Sequence, residues 1–244
     1  MSYAMQAQTV IGVVEYIKSD DDELFLDAEK VWHKINEERL NEHTIVGWVL
    51  YKVMNKSTDD AYNYVALTLY DSFTKLDNGI SEQVVRRAFP AAGTKERGEM
   101  LHRAEAAFQV VSSGVFHRRL SCNTGLDKQS EYYLIREIRV KPGKSHEYLK
   151  IKSEYFEPAY REAISEQKRS AWSLWEKWAG NMKDFQYVDV NGYLNLAQLE
   201  QAGISENFSK IQPDKALETK STQLAALCKP SNTELWKVVS RVVD

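Results

Sequence analysis

The chain has 244 residues, 43% hydrophobic and 27% charged, which supplies a buried core and excludes a disordered or fibrous chain. Its 32 Lys and Arg against 35 Asp and Glu leave a net charge of −3, so nucleic acid, which needs a concentrated basic surface, is not an expected partner. No apolar run approaches the ~20 residues of a membrane span, so no membrane partner is expected either.

The first residues, Met-Ser-Tyr-Ala-Met-Gln-Ala-Gln, lack the apolar stretch of a signal peptide but end in small and polar residues like those near a cleavage site. Export with a trimmed leader is the expectation; a frayed cytoplasmic N-terminus is the alternative. Residues 10–18 are β-branched and aromatic and read as a strand. Asp20, Asp21 and Asp22 then offer an N-cap, and Leu24, Ala28, Val31 and Ile35 recur at helical spacing. Residues 47–54 read as a second strand, 55–60 as a polar turn and 62–70 as a third strand. A long helical region follows, with an apolar stripe through Leu101, Ala104, Phe108 and Val111, and residues 115–121 form a fourth strand. The order then recurs. Residues 131–140 are a strand and 141–144 a turn, and 145–166 form a helix that Pro158 should kink. Residues 171–178 and 185–191 are strands, 194–227 is helical, and 234–243 is the last strand.

The recurrence extends to individual residues. Tyr64, Val65, Leu67 and Tyr70 match Tyr187, Val188, Val190 and Tyr193 at a spacing of 123. Trp48 and Trp172 lie 124 apart, Phe25 and Tyr148 lie 123 apart, and Glu15 and Glu137 lie 122 apart. Matches in four successive segments point to duplication. The expected fold is α+β: two tandem ferredoxin-like βαββαβ units, residues 1–125 and 126–244, with their antiparallel sheets facing to form an α/β barrel. Within the third strand of each unit a Val/Leu face alternates with an aromatic and polar one. The Val/Leu face is expected under the helices and the aromatic and polar face around a wet pocket.

The motifs Val31-Trp32-His33-Lys34 and Gly47-Trp48-Val49-Leu50-Tyr51 are where the chain resembles the dimeric α/β-barrel superfamily. It is most similar to tandem members with both units in one polypeptide, a set of bacterial proteins that are often exported. The resemblance covers nearly the whole chain through residues that mostly pack. The superfamily contains cofactor-free monooxygenases, haem enzymes, isomerases and proteins without known activity, so the fold leaves function open.

Eight residues are candidates for the pocket. Glu15 and Glu137 sit among apolar neighbours in the first strands; facing each other inside a barrel they would hold a proton near neutrality, and otherwise each pairs with a cation such as Arg136 or Arg139. His33 is a base or haem ligand if it points inward, and a half-exposed helix histidine if it does not. His117 has the same two options on the fourth strand. Trp48, Trp172, Tyr64 and Tyr187 could stack on a planar ligand or pack the core. The pairs Arg86-Arg87 and Arg118-Arg119 read as solvated surface. Cys122 and Cys228 lack metal-ligand spacing and are open to one disulfide or two thiols. No P-loop, Gly-x-Gly-x-x-Gly, Gly-x-Ser-x-Gly, His-Glu-x-x-His or EF-hand loop is present. The expectation is a non-catalytic barrel with a pocket for a small organic molecule, without cofactor or metal, acting as a monomer or homodimer. A cofactor-free monooxygenase or isomerase on a planar organic substrate, and a haem-binding protein, are the alternatives.

Overall fold

The computed structural model describes residues 9–56, 60–77, 79–123, 130–181, 185–202 and 215–243. The first half runs β1 (Ile11–Lys18), α1 (Asp22–Asn41), β2 (Gly47–Val53), β3 (Tyr64–Tyr70), α2 (Glu82–Ala88), α3 (Thr94–Ala106) and β4 (Gln109–Asn123). The second runs β5 (Tyr132–Val140), α4 (Ser145–Ile151), α5 (Glu157–Ser165), β6 (Ala171–Gly180), β7 (Tyr187–Tyr193), α6 (Leu196–Ala202), α7 (Lys215–Leu227) and β8 (Cys228–Val243). The expected turn at 55–60 and helix at 194–227 fall partly outside the described residues, at 57–59 and 203–214.

Local chemistry sets the element ends. Asp21 caps α1, its carboxylate accepting from the backbone N–H of Glu23 and Leu24, both at 3.0 Å. The buried stripe of α1 runs through Phe25, Ala28 and Ile35 and includes Glu29, Asn36 and Arg39, while Leu24 faces solvent. Pro158 lacks a backbone N–H, and the long second-half helix accommodates it with a π turn (Lys152–Phe156) in which the Glu157 N–H reaches back to the Lys152 carbonyl.

The apolar stripe expected through Phe108 and Val111 does not stay helical. Helix α3 ends at Ala106, and the β-branched pair Val110-Val111 opens a strand of 15 residues. Strand β8 is likewise 16 residues long rather than the ten expected. These lengths have a structural purpose, because β4 pairs with both β1 and β6 and β8 with both β5 and β2. The two long strands stitch the halves into one closed antiparallel barrel in the order β1-β3-β2-β8-β5-β7-β6-β4. Closure leaves no strand edge unpaired. The described helices pack outside, α1 over the first half and α4 and α5 over the second, each on its own apolar core.

Candidate functional site

A half-open cavity of about 460 Å³ lies within the barrel, between its two halves. Every strand contributes to its wall. The lining includes Val14 and Tyr16 of β1, Val49 and Tyr51 of β2, and Leu67 and Leu69 of β3. From β4 come Phe116 and Arg118, from β5 Tyr133 and Ile135, and from β6 Ser173 and Trp175. Val188 and Val190 of β7 and Trp236 and Val238 of β8 complete it. The ladder explains why these residues share a face: Val14 lies opposite Leu67, Ile135 opposite Val190, Tyr51 opposite Val238, and Trp175 opposite both Val188 and Arg118.

This arrangement reverses the expected use of the two strand faces. The Val/Leu face lines the cavity, and the aromatic face lies under the helices. Trp48 and Tyr64 pack with Phe25 and Ile45 beneath α1, and the Tyr64 hydroxyl donates to Asp22 at 2.7 Å. Trp172 and Tyr187 pack in the second-half core, where Trp172 stacks on Tyr160 at 4.4 Å and donates its indole N–H to Asp189 at 3.0 Å. The physical reason is that a helix axis stands well off the sheet, so wide rings fill that layer, and their polar atoms find helix and loop partners there. None of these four aromatics reaches the cavity.

The carboxylate and histidine candidates divide in the same way. Ile17 stands opposite Tyr64, and Ile138 opposite Tyr187. Because the two tyrosines are 123 apart, the first strands of the halves correspond at a spacing of 121, not 122. Glu137 therefore corresponds to Tyr16, and Glu15 to Arg136. A slip of one residue exchanges the faces of a strand. Glu15 lies opposite Ala66, on the helix side, where burial raises its pKa against the opposing charge of Arg39. Glu137 lies opposite Val188, on the cavity side. His33 is on the outside, with Nδ1 2.8 Å from Ser240 Oγ and Nε2 3.4 Å from Glu37. His117 lies opposite the core residue Ile11, edge-on to Trp178 at 5.5 Å. Burial, then the charge of Arg119, lowers its pKa. Of the eight candidates, Glu137 alone shares the face of the cavity.

Glu137 belongs to a polar cluster with Glu234, Tyr16, Tyr62 and Trp236. Glu234 is buried and well held: its carboxylate accepts from the Tyr62 hydroxyl, from the Trp236 indole at 2.8 Å and from Asn232 at 3.1 Å, and pairs with Lys56 at 3.2 Å. Burial and the fixed negative charge of Glu234 push Glu137 up to about 7, against the pull of Lys177 and Lys56. It can therefore take or give a proton at neutral pH. Two arginines also face the cavity. Arg241 donates to the Ser130 carbonyl at 3.0 Å and to Glu131 at 2.8 Å. Arg118 is half-buried and has no acidic partner among the described residues. Sequence reasoning placed the Arg118-Arg119 pair in solvent. Arg119 does pair outside, with Glu176 at 3.1 Å, but Arg118 shares the inward phase of Phe116, two residues before it. Tyr16, Tyr51, Tyr133, Trp175 and Trp236 were missed with it. The signal that would have found them is the Val-x-Val and Val-x-Leu alternation, had it been assigned to the inside.

The helix-facing layer carries its own charges. In the second half Lys152 and Asp189 are both buried and 2.5 Å apart. Burial alone would raise Asp189, yet Lys152, Arg136 and the Trp172 N–H hold it below the usual carboxylate range. In the first half burial and the charge of Glu15 push Glu29 up to about 8. Neither group opens on the cavity. Cys122 and Cys228 are not in a disulfide, and among the described residues no group of three His, Cys, Asp or Glu side chains could hold a metal ion. The described cavity lining contains no histidine, cysteine or methionine, so this cavity does not fit a haem ligated by one of those side chains. No helix among the described residues is long and apolar enough to cross a membrane.

No family model matches the chain, and no curated protein matches it. Solved structures do. An anthrone oxidase-like protein superposes with a TM-score of 0.58 at 10% identity, over 97% of this chain and 94% of that one. A candidate monooxygenase from Fusobacterium nucleatum subsp. nucleatum gives 0.56 at 12% identity, over 98% and 96%. A haem-binding protein from Thermus thermophilus gives 0.52 at 11% identity, over 95% and 93%. At such identities the likeness speaks for architecture and not for chemistry. The closed eight-strand barrel agrees with these structures along nearly their whole length, and the chain shares their α+β barrel fold.

Proposed function

We propose that the protein binds a small, mostly apolar organic molecule inside the barrel. The observation that carries this reading is the cavity of about 460 Å³, walled by aliphatic and aromatic side chains with a few polar groups among them. That size and mixture are typical of small-molecule sites. A dry core of the same residues would have closed on itself, since protein interiors pack with few voids larger than a water molecule. The test is thermal stabilisation of the full chain across a library of planar aromatic and polyketide-like compounds, with haemin included. A ligand present at a hundredfold excess over its Kd adds about 3 kcal/mol of stability. Val190→Phe, which puts a ring into the cavity, should abolish the shift while the free protein still folds. A shift that survives Val190→Phe would place the ligand elsewhere.

A second reading, proton-transfer chemistry of the cofactor-free monooxygenase or isomerase kind, is favoured by one observation, the half-buried Glu137 poised at about 7 on the cavity side of β5. A planar carbon acid such as anthrone, incubated in deuterated buffer, should exchange its acidic C–H faster with the wild-type chain than with Glu137→Gln. The rate should rise through pH 7 as the carboxylate ionises. Exchange no faster than in buffer would dismiss this reading and leave the binding one intact.

A further inference from the structure

Resting on the cavity reading above, we infer that the ligand is an organic anion: a flat apolar body bearing one carboxylate or comparable acidic group, held by Arg118. The inference begins with an imbalance of charge. Arg119 has Glu176, and Arg241 has Glu131 and the Ser130 carbonyl, but Arg118 faces the cavity with no acidic group beside it among the described residues. Glu137 answers to Glu234, Lys177 and Lys56, and not to Arg118. Burial alone accounts for the lowered pKa of the Arg118 guanidinium, which agrees with a cation lacking a counter-charge. Such a group opposes folding unless it is used, because a charge withdrawn from water loses hydration that nothing replaces.

The backbone is arranged to keep Arg118 there. Arg118 follows Phe116 at the two-residue period of a strand, so both face the cavity, and the β4–β6 ladder breaks register only after it, between Arg118 and Leu120. Arg118 stands opposite Trp175. The Trp175 indole N–H is already committed to Ser173 Oγ at 2.8 Å, so the ring has its face to offer and no free donor. A guanidinium and an indole on neighbouring strands of one cavity wall suit a conjugated acid, with the carboxylate taking two parallel N–H donors while its ring lies against the indole. A free inorganic anion would satisfy the arginine but leave the apolar wall empty, and a neutral hydrocarbon would do the reverse.

The experiment uses matched pairs of planar acids and their primary alcohols, built on naphthalene, biphenyl and anthracene. Binding to the intact chain is measured by calorimetry at pH 7.5. Wild type should bind at least one acid about 10- to 100-fold more tightly than its alcohol, as loss of a charge-assisted hydrogen-bond pair would give. Arg118→Gln should erase that preference and leave alcohol binding unchanged, and Arg118→Lys should restore part of it. Without ligand, Arg118→Gln should melt at the same temperature as wild type or higher, since it removes an unneutralised charge. Equal binding of acids and alcohols overturns the anion while sparing the cavity reading. So does a substitution at Arg118 that weakens both alike. Failure of every acid and every alcohol to bind overturns the cavity reading and this inference with it.

Discussion

Glu29 carries a testable consequence of burial. It is 5% exposed, its Oε2 has no hydrogen-bond partner among the described residues, and its carboxyl is held protonated up to about 8. In the unfolded chain the same group ionises near 4.5. Folding therefore binds a proton that the unfolded chain releases between these values. The stability this gives is fully present below 4.5, falls as pH rises, and is lost above 8. Glu29→Gln should be more stable than wild type at pH 8, by about 2–4 kcal/mol, and melt correspondingly higher, and it should differ little at pH 4. Equal melting temperatures at both pH values would show that Glu29 is hydrated. Lys152 and Asp189 form a buried ion pair. Asp189→Asn leaves the ammonium buried without its counter-charge and should cost about 3 kcal/mol in urea unfolding. Adding Lys152→Met should recover most of that loss. These residues also mark where reading a sequence one residue at a time stops. Glu29, Lys152 and Asp189 are residue types that composition places at the surface; the Lys152–Asp189 pair is inside because each neutralises the other, and Glu29 because it keeps its proton.

At the scale of elements, the sequence was most legible where the side chains were largest. Trp48 lies opposite Thr68 and Trp172 opposite Asn191, so the second and third strands of both halves keep the register that the 123 and 124 spacings predicted. The first strands kept their positions but not their phase. Glu15 and Glu137 look alike in sequence, yet Tyr16 is the residue that matches Glu137 in the barrel. Alternation shows that a strand has two faces but not which one meets a helix. Here both faces are apolar enough for either role, which is why six of the seven strand residues nominated for the pocket lie on the helix side; the eighth candidate, His33, is on α1. The bulged junction of β4 and β6 offers a sharper test. Gly180 adopts φ +119 with its missing Cβ 2.3 Å from the Ser113 carbonyl, so only glycine fits opposite Gly114. Gly180→Ala should cost at least about 2 kcal/mol of stability, measured by denaturant midpoint at unchanged slope.

For the whole molecule, the recurrence of βαββαβ was visible in the chain, and closure followed from it. What could not be read was how closure is achieved, because the extra length of β4 and β8 lies in Val110, Val111 and the polar 228–233 stretch, which resemble helix end and loop. We propose that the halves, 1–125 and 126–244, arose by duplication. Since each long strand belongs to both halves, they should unfold together. Far-ultraviolet circular dichroism and tryptophan fluorescence should give coincident urea transitions, and two separated transitions would show that the halves are independent.

Seven valines stand among the described wall residues of the cavity: Val14, Val46, Val49, Val188, Val190, Val238 and Val243. A valine turns about a single side-chain bond and strongly prefers few settings of it. Walls of that kind do not slump inward when nothing fills them. The chamber should therefore keep a fixed outline, and candidate guests would be sorted by how well their contours match a mould that does not yield.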